Sequence, residues 1–94
     1  MDYLALLNGL ARSVKPAGSA FRPAEHLDVS LPDTGLDSLD ITLLAVYVCE
    51  VFGIPEEVGK TLVPGTFADV VRFVGQHATR MPESVKAALA SVAG

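Results

Sequence analysis

Apolar side chains recur along this chain with the period of a helix, in segments separated by proline and glycine. Tyr3, Leu7, Leu10 and Val14 fall at spacings of three and four, which places them on one face and predicts a first helix over Asp2–Val14. Asp2 suits the positive end of the helix dipole, and Lys15-Pro16 closes the element. A second helix is expected over Ser38–Phe52, with Ile41, Leu44, Val48 and Phe52 as its buried stripe. Asp37 is its candidate N-cap, Asp40 completes a weak capping box, and Gly53 suits the position just past the end. A short turn follows over Pro55–Lys60, with Pro55 at its first position and Glu56 and Glu57 in the first turn. Pro64-Gly65 then precedes Thr66-x-x-Asp69, a capping signature. The next helix has Phe67, Val70, Val71, Val74 and Ala78 on its inner face. Pro82 opens a candidate fifth short helix, with Val85, Ala88, Leu89 and Val92 on one side.

Between the first two helices no period holds. Pro16, Gly18, Pro23, Pro32 and Gly35 punctuate a loop of about 20 residues, a length that is uncommon inside compact domains and usually functional. Phe21, Leu27, Val29, Leu31 and Leu36 are expected to pin it to the core, since a disordered linker would carry fewer apolar residues. No strand alternation persists and no internal repeat is present. The fold class is all-α, a four-helix bundle with one long loop and a candidate C-terminal helix.

Length and composition narrow the function. With 94 residues, half of them apolar and 19% charged, the chain reads as one small globular domain. It has no room for a nucleotide-binding sheet or a barrel with its own active-site loops. A formal charge of −4 argues against sequence-independent binding to nucleic acid or to an anionic membrane. The single cysteine, Cys49, excludes an internal disulfide and a multi-cysteine metal site, and its apolar neighbours suggest a small buried hydrophobe. Met1-Asp2-Tyr3 lacks the basic start of a secretory signal. The apolar run from Leu39 to Phe52 carries Asp40 and Glu50 and is too short to span a bilayer, so a cytoplasmic monomer is expected.

The acids are unevenly placed. Eight lie between Pro23 and Gly59 with no Lys or Arg among them, since all seven Lys and Arg lie outside. An acidic face of this kind steers basic partners at low salt. The second helix is apolar nearly all round, since Leu43, Val46 and Tyr47 fall off the main stripe. In so small a bundle that leaves part of an apolar patch exposed. Leu43, Val46 and Tyr47 are thus candidate docking residues, beside Asp33, Asp40 and Glu50.

Ser38 opens the second helix directly after the long loop. Its hydroxyl is expected to face solvent beside unpaired N–H groups, a setting that favours an attached phosphate. Gly35-Leu36-Asp37-Ser38-Leu39-Asp40 at the head of an apolar helix resembles the acyl carrier proteins. The Phe52-Gly53-Ile54 step, the acidic turn after it and Pro64-Gly65-Thr66-Phe67-Ala68-Asp69-Val70-Val71 extend the resemblance from about Asp2 to Thr79. It implies an acyl carrier domain over residues 1–79, with 80–94 as a C-terminal extension that packs as an added helix or docks a partner. It also implies that Ser38 receives 4′-phosphopantetheine from coenzyme A, transferred by a separate Mg²⁺-dependent phosphopantetheinyl transferase. Asp37 and Leu39 match the acidic and apolar residues that flank the family's serine. The arm's thiol would carry acyl groups as thioesters between acyl-loading, ketosynthase or acyltransferase-type enzymes. Leu43 and Cys49 stand where family members of fatty acid synthesis often have acids, which points toward a polyketide or other specialised acyl pathway. Peptidyl carriers more often place Gly-Gly and His or Asp before their serine.

Two other classes compete with that implication. A helical adaptor, or a degenerate carrier that is never modified, would share the fold and the acidic face. A small serine hydrolase would need a base, and only His26 and His77 are on offer. The segment around Ser38 lacks the second glycine of a nucleophile elbow, and both histidines are expected to be ordinary surface or helix-edge residues.

Overall fold

The computed structural model describes residues 2–15 and 20–92; Pro16, Gly18 and the last two residues of the C-terminal extension lie outside them. Among the described residues the chain forms five α-helices and one 3₁₀ turn, with no strand. Helix α1 (Tyr3–Val14) is capped by Asp2, whose Oδ1 accepts the Ala5 N–H at 3.0 Å. Its buried line is Leu6, Leu7, Leu10 and Ala11. Tyr3 and Val14, expected in the stripe, are only half-buried at its ends. The shift has a physical reason: α1 packs on α2 (Ser38–Phe52), α4 (Phe67–His77) and α5 (Val85–Val92), and three neighbours need a wider apolar face than one stripe.

Helix α2 runs from Ser38 to Phe52, and the expected capping box is complete. Gly53 takes the left-handed conformation (φ 63°) that ends the helix. Leu44, Val48 and Phe52 are fully buried and Val51 joins them, while Ile41 is half-buried. The short α3 spans Glu56–Gly59, with Pro55 as its N-cap rather than its first residue. Helix α4 begins on the Thr66–Asp69 capping box and buries Phe67, Val70 and Val74. Val71 is half-buried, and Ala78 lies just past the helix as its C-cap.

Beyond α4 the chain turns back onto the end of α2. Phe52 O accepts the N–H groups of Thr79 (2.9 Å) and Arg80 (3.3 Å), Thr79 Oγ1 donates to Gly53 O at 2.6 Å, and Arg80 donates to the Glu50 and Val51 carbonyls. The orphan carbonyls of a helix C-terminus are thereby satisfied. Helix α5 starts after Ser84, whose Oγ accepts the Ala87 N–H at 3.0 Å, rather than at Pro82. It packs on α1 and α2 and buries Ala88 in the common core. Gly9 allows this approach, since a Cβ there would stand 2.7 Å from Leu89 Cδ2.

The long loop lies on this core. Phe21, Leu31 and Leu36 are buried and Leu27 and Val29 half-buried, so the apolar anchors act as expected. A 3₁₀ turn at Leu31–Thr34 and Gly35 (φ 93°) reverse the chain just ahead of α2. The loop also meets the start of α4: Leu31 N–H donates to Gly65 O (2.9 Å), Ala68 N–H to Leu27 O (3.0 Å), and Ser30 bridges Thr66. The radius of gyration is 12.0 Å, about what a single packed body of this length requires. No described helix is long and apolar enough to cross a membrane.

Candidate functional site

Ser38 is the first residue of α2 and is exposed. The residues around it are tightly placed. Leu36 is buried, which anchors the incoming loop two residues upstream. Asp37 has extended backbone (φ −92°, ψ −177°), and its Oδ1 accepts the Asp40 N–H at 2.9 Å. Asp40 Oδ2 in return accepts the Asp37 N–H at 3.1 Å. The box leaves the N–H groups of Ser38 and Leu39 without a hydrogen-bond partner among the described residues. Nor does any described group bond the Ser38 hydroxyl; only its carbonyl is engaged, by Thr42 Oγ1. Two free N–H groups and the positive end of a 15-residue helix favour negative charge beside Ser38.

Asp40 requires a correction. The sequence offered it as a docking residue, yet it is 8% exposed. Lys15, at the end of α1, donates to its Oδ2 at 2.9 Å and also to Gly35 O at 3.2 Å. The hydrogen bond from Lys15, helped by the Asp37 N–H, holds the Asp40 carboxyl below its ordinary value of 3.8 although burial opposes it. Asp40 is a structural anion, not a surface one. The other acids of the middle segment (Glu25, Asp28, Asp33, Asp37, Glu50, Glu56 and Glu57) are exposed, and no ion pair engages them among the described residues.

The exposed apolar residues of α2 form one line. Leu39 is 67% exposed, Leu43 38% and Val46 46%; with Glu50 they follow the four- and three-residue steps of a single helix face. Tyr47 is different, since it is half-buried and packs against the core, so it serves folding more than docking. A groove of about 720 Å³ runs beside this line between α2 and α3, lined by Val46, Cys49, Ile54, Gly59, Leu62 and Val63 among others. Gly59 lets α3 lie close to Cys49 of α2, because a Cβ there would stand 2.5 Å from Cys49 Sγ. Burial raises the Cys49 thiol above its ordinary value of 9.0.

Neither histidine hydrogen-bonds to Ser38. His26 Nδ1 accepts the Asp28 N–H at 3.3 Å, and His77 lies against Phe73 with ring centroids 4.6 Å apart. Two α1 residues and its C-cap Lys15 make contacts that the spacing does not predict. Asn8 pairs with the backbone of Ala24 through both amide atoms (2.9 and 2.7 Å), Arg12 stacks over Phe21 at 5.2 Å, and Lys15 reaches Gly35 and Asp40. Their spacing on the polar side of α1 was visible; the loop they grip was not.

No protein-family model, curated protein or solved structure matches the chain.

Proposed function

We propose that this chain is an acyl carrier protein, an acyl-carrier-like bundle in which Ser38 is the attachment point of 4′-phosphopantetheine. The observation that carries the reading is a solvent-facing, unengaged hydroxyl at the first position of a helix whose flanking residues, Leu36 and Asp40, are buried. A hydroxyl so placed serves an external transferase: it is accessible, and buried residues on both sides of it anchor the segment. No base on this chain is required. In the attachment reaction Ser38 Oγ displaces adenosine 3′,5′-bisphosphate from coenzyme A. An Oγ–P bond forms, the pyrophosphate P–O bond breaks, and the hydroxyl proton leaves to the transferase. The unpaired Ser38 and Leu39 N–H groups and the α2 dipole would favour the negative charge of a phosphodiester at Ser38. The bound arm supplies a thiol that holds acyl groups as thioesters.

The remaining surface suits a carrier that must be handed between enzymes. Leu39, Leu43 and Val46 give an apolar docking line, while Asp33 and Asp37 at one end and Glu50 at the other offer charge to basic partners. Acyl-loading, ketosynthase or acyltransferase-type enzymes are the partners this implies. The apolar content of the line favours a dedicated set in a polyketide, specialised or fatty acyl pathway.

The test is intact-protein mass after incubation with coenzyme A, Mg²⁺ and a promiscuous phosphopantetheinyl transferase. Wild type is expected to gain one phosphopantetheine and Ser38→Ala none. Loading of the alanine variant would refute the site. Failure of both, with the transferase active on a control carrier, would leave a non-catalytic adaptor that uses the same acidic and apolar face.

A further inference from the structure

The polar side of α1 grips the approach to Ser38 at three heights: Asn8 holds Ala24, Arg12 covers Phe21, and Lys15 reaches the last turn before α2. The last contact is the closest to the site in sequence and the most consequential. The Lys15 ammonium donates to Gly35 O (3.2 Å) on one side of Ser38 and to Asp40 Oδ2 (2.9 Å) on the other. Asp40 Oδ2 is also the oxygen that receives the Asp37 N–H. One cation therefore closes a ring that contains Gly35, Asp37 and Asp40, with the Ser38 hydroxyl left outside it. Gly35 sits at φ 93°, a left-handed turn conformation that glycine adopts without a Cβ penalty, and Lys15 holds its carbonyl.

From this geometry we infer that Lys15 is the positioning residue for modification of Ser38, a clasp between α1 and the 35–40 segment that keeps the serine in its transferable conformation. The inference rests on the carrier reading. Lys15 does not touch the reacting atoms. It raises the fraction of molecules whose α2 start is already formed when the transferase arrives. Losing the clasp lowers that fraction, and the apparent affinity falls by the same factor, while the rate from the bound complex stays as it was. A lysine that merely supported the core would instead lower the yield of folded protein and leave KM alone.

The experiment compares wild type, Lys15→Met, Lys15→Arg and Asp40→Asn in two assays. The first measures transferase kinetics by intact mass across protein concentration. The second measures amide hydrogen exchange on the unloaded proteins. Lys15→Met is expected to raise the transferase KM about tenfold with kcat unchanged. Lys15→Arg, which restores the cation and its donors, is expected to return KM to within about twofold. Asp40→Asn keeps an oxygen for the Asp37 N–H but gives up the charge facing Lys15, and should move KM in the same direction. In the unloaded proteins, protection of the Asp37 and Asp40 amides should fall in step with KM, while that of Val48 and Phe52 stays at the wild-type level. If wild type loads but KM is unchanged in Lys15→Met and Asp40→Asn, the clasp is refuted and the carrier reading stands. If protection at Val48 falls together with that at Asp37 in both variants, the pair is a core strut and the inference fails. If wild type itself is not loaded, the carrier reading falls and takes the inference with it.

Discussion

Asp69→Ala tests how the long loop is held against α4. Asp69 Oδ2 accepts the N–H groups of Gly65 (2.7 Å) and Thr66 (3.1 Å), its own N–H donates to Thr66 Oγ1 (3.3 Å), and its Oδ1 pairs with Arg72. The turn it ties down is the one onto which Ser30 and Leu31 dock. Hydrogen bonds to a charged group contribute about 1.5–3 kcal/mol each when shielded, but the Asp69 side chain is 35% exposed, so water replaces much of that. Capping substitutions cost about 0.5–2 kcal/mol, and the exposed pair with Arg72 adds at most a few tenths of a kcal/mol. A loss of about 1.5 kcal/mol follows, equivalent to a fall in Tm of roughly 6–12 °C for a domain of this size. The effect also carries a pH signature. The Gly65 and Thr66 N–H groups hold the Asp69 carboxyl below its ordinary value of 3.8. A group depressed in the folded state contributes stability that is present above its unfolded pKa and is lost as pH falls through the folded one. The gap between wild type and Asp69→Ala should therefore be full at pH 7 and should narrow below about pH 4. Urea titrations followed by circular dichroism at pH 7 and at pH 3 measure both quantities. A variant within about 0.3 kcal/mol of wild type at neutral pH, or an equal gap at the two pH values, would refute the assignment.

Three further outcomes are expected. Gly35→Ala should cost about 2 kcal/mol or more, because the left-handed backbone at φ 93° penalises a Cβ that would also press on the Ala20 carbonyl; a thermal melt unchanged from wild type would contradict it. On the carrier reading proposed above, Leu43→Asp should leave Tm within a few degrees yet slow acyl transfer to a partner enzyme, whereas Tyr47→Asp should lower Tm clearly, because Tyr47 packs on the core; the reverse ordering would show the docking line to be misplaced. The Cys49 thiol, raised by burial, should react with iodoacetamide at pH 8 about tenfold more slowly in the folded protein than in urea, and equal rates would mean that the groove lets the reagent in freely.

What the sequence revealed and what it hid follow from the range of the forces involved. The capping boxes of α2 and α4 were legible because the residues that close each lie within four positions of one another, where composition and spacing suffice. The anchoring of the loop by Phe21, Leu31 and Leu36 was legible because apolar residues in a proline-broken segment have few other uses. The α1 stripe is wider than its spacing predicts, since Leu6 and Ala11 are buried in a face that meets α2, α4 and α5, and no local period reports those neighbours. The sequence offers Pro82 as the start of α5, while the structure starts it after Ser84, whose Oγ accepts the Ala87 N–H.

Asp40 shows the same limit at the site itself. At the third position of a helix an aspartate both caps the backbone and faces solvent, so the sequence offers it equally to folding and to a partner. The choice is made by Lys15, 25 residues away, which turns the carboxylate inward and neutralises it. The charge available to a partner near Ser38 is thus smaller by one than the count of acids suggests, and it comes from Asp33 and Asp37 instead. The lysine that removes this charge from the surface also orders the serine's surroundings. A partner meeting this face encounters a formed helix start, three exposed acids (Asp33, Asp37 and Glu50) and an apolar line. Complementary partners should therefore present an apolar patch beside cations, and their association should weaken as salt rises.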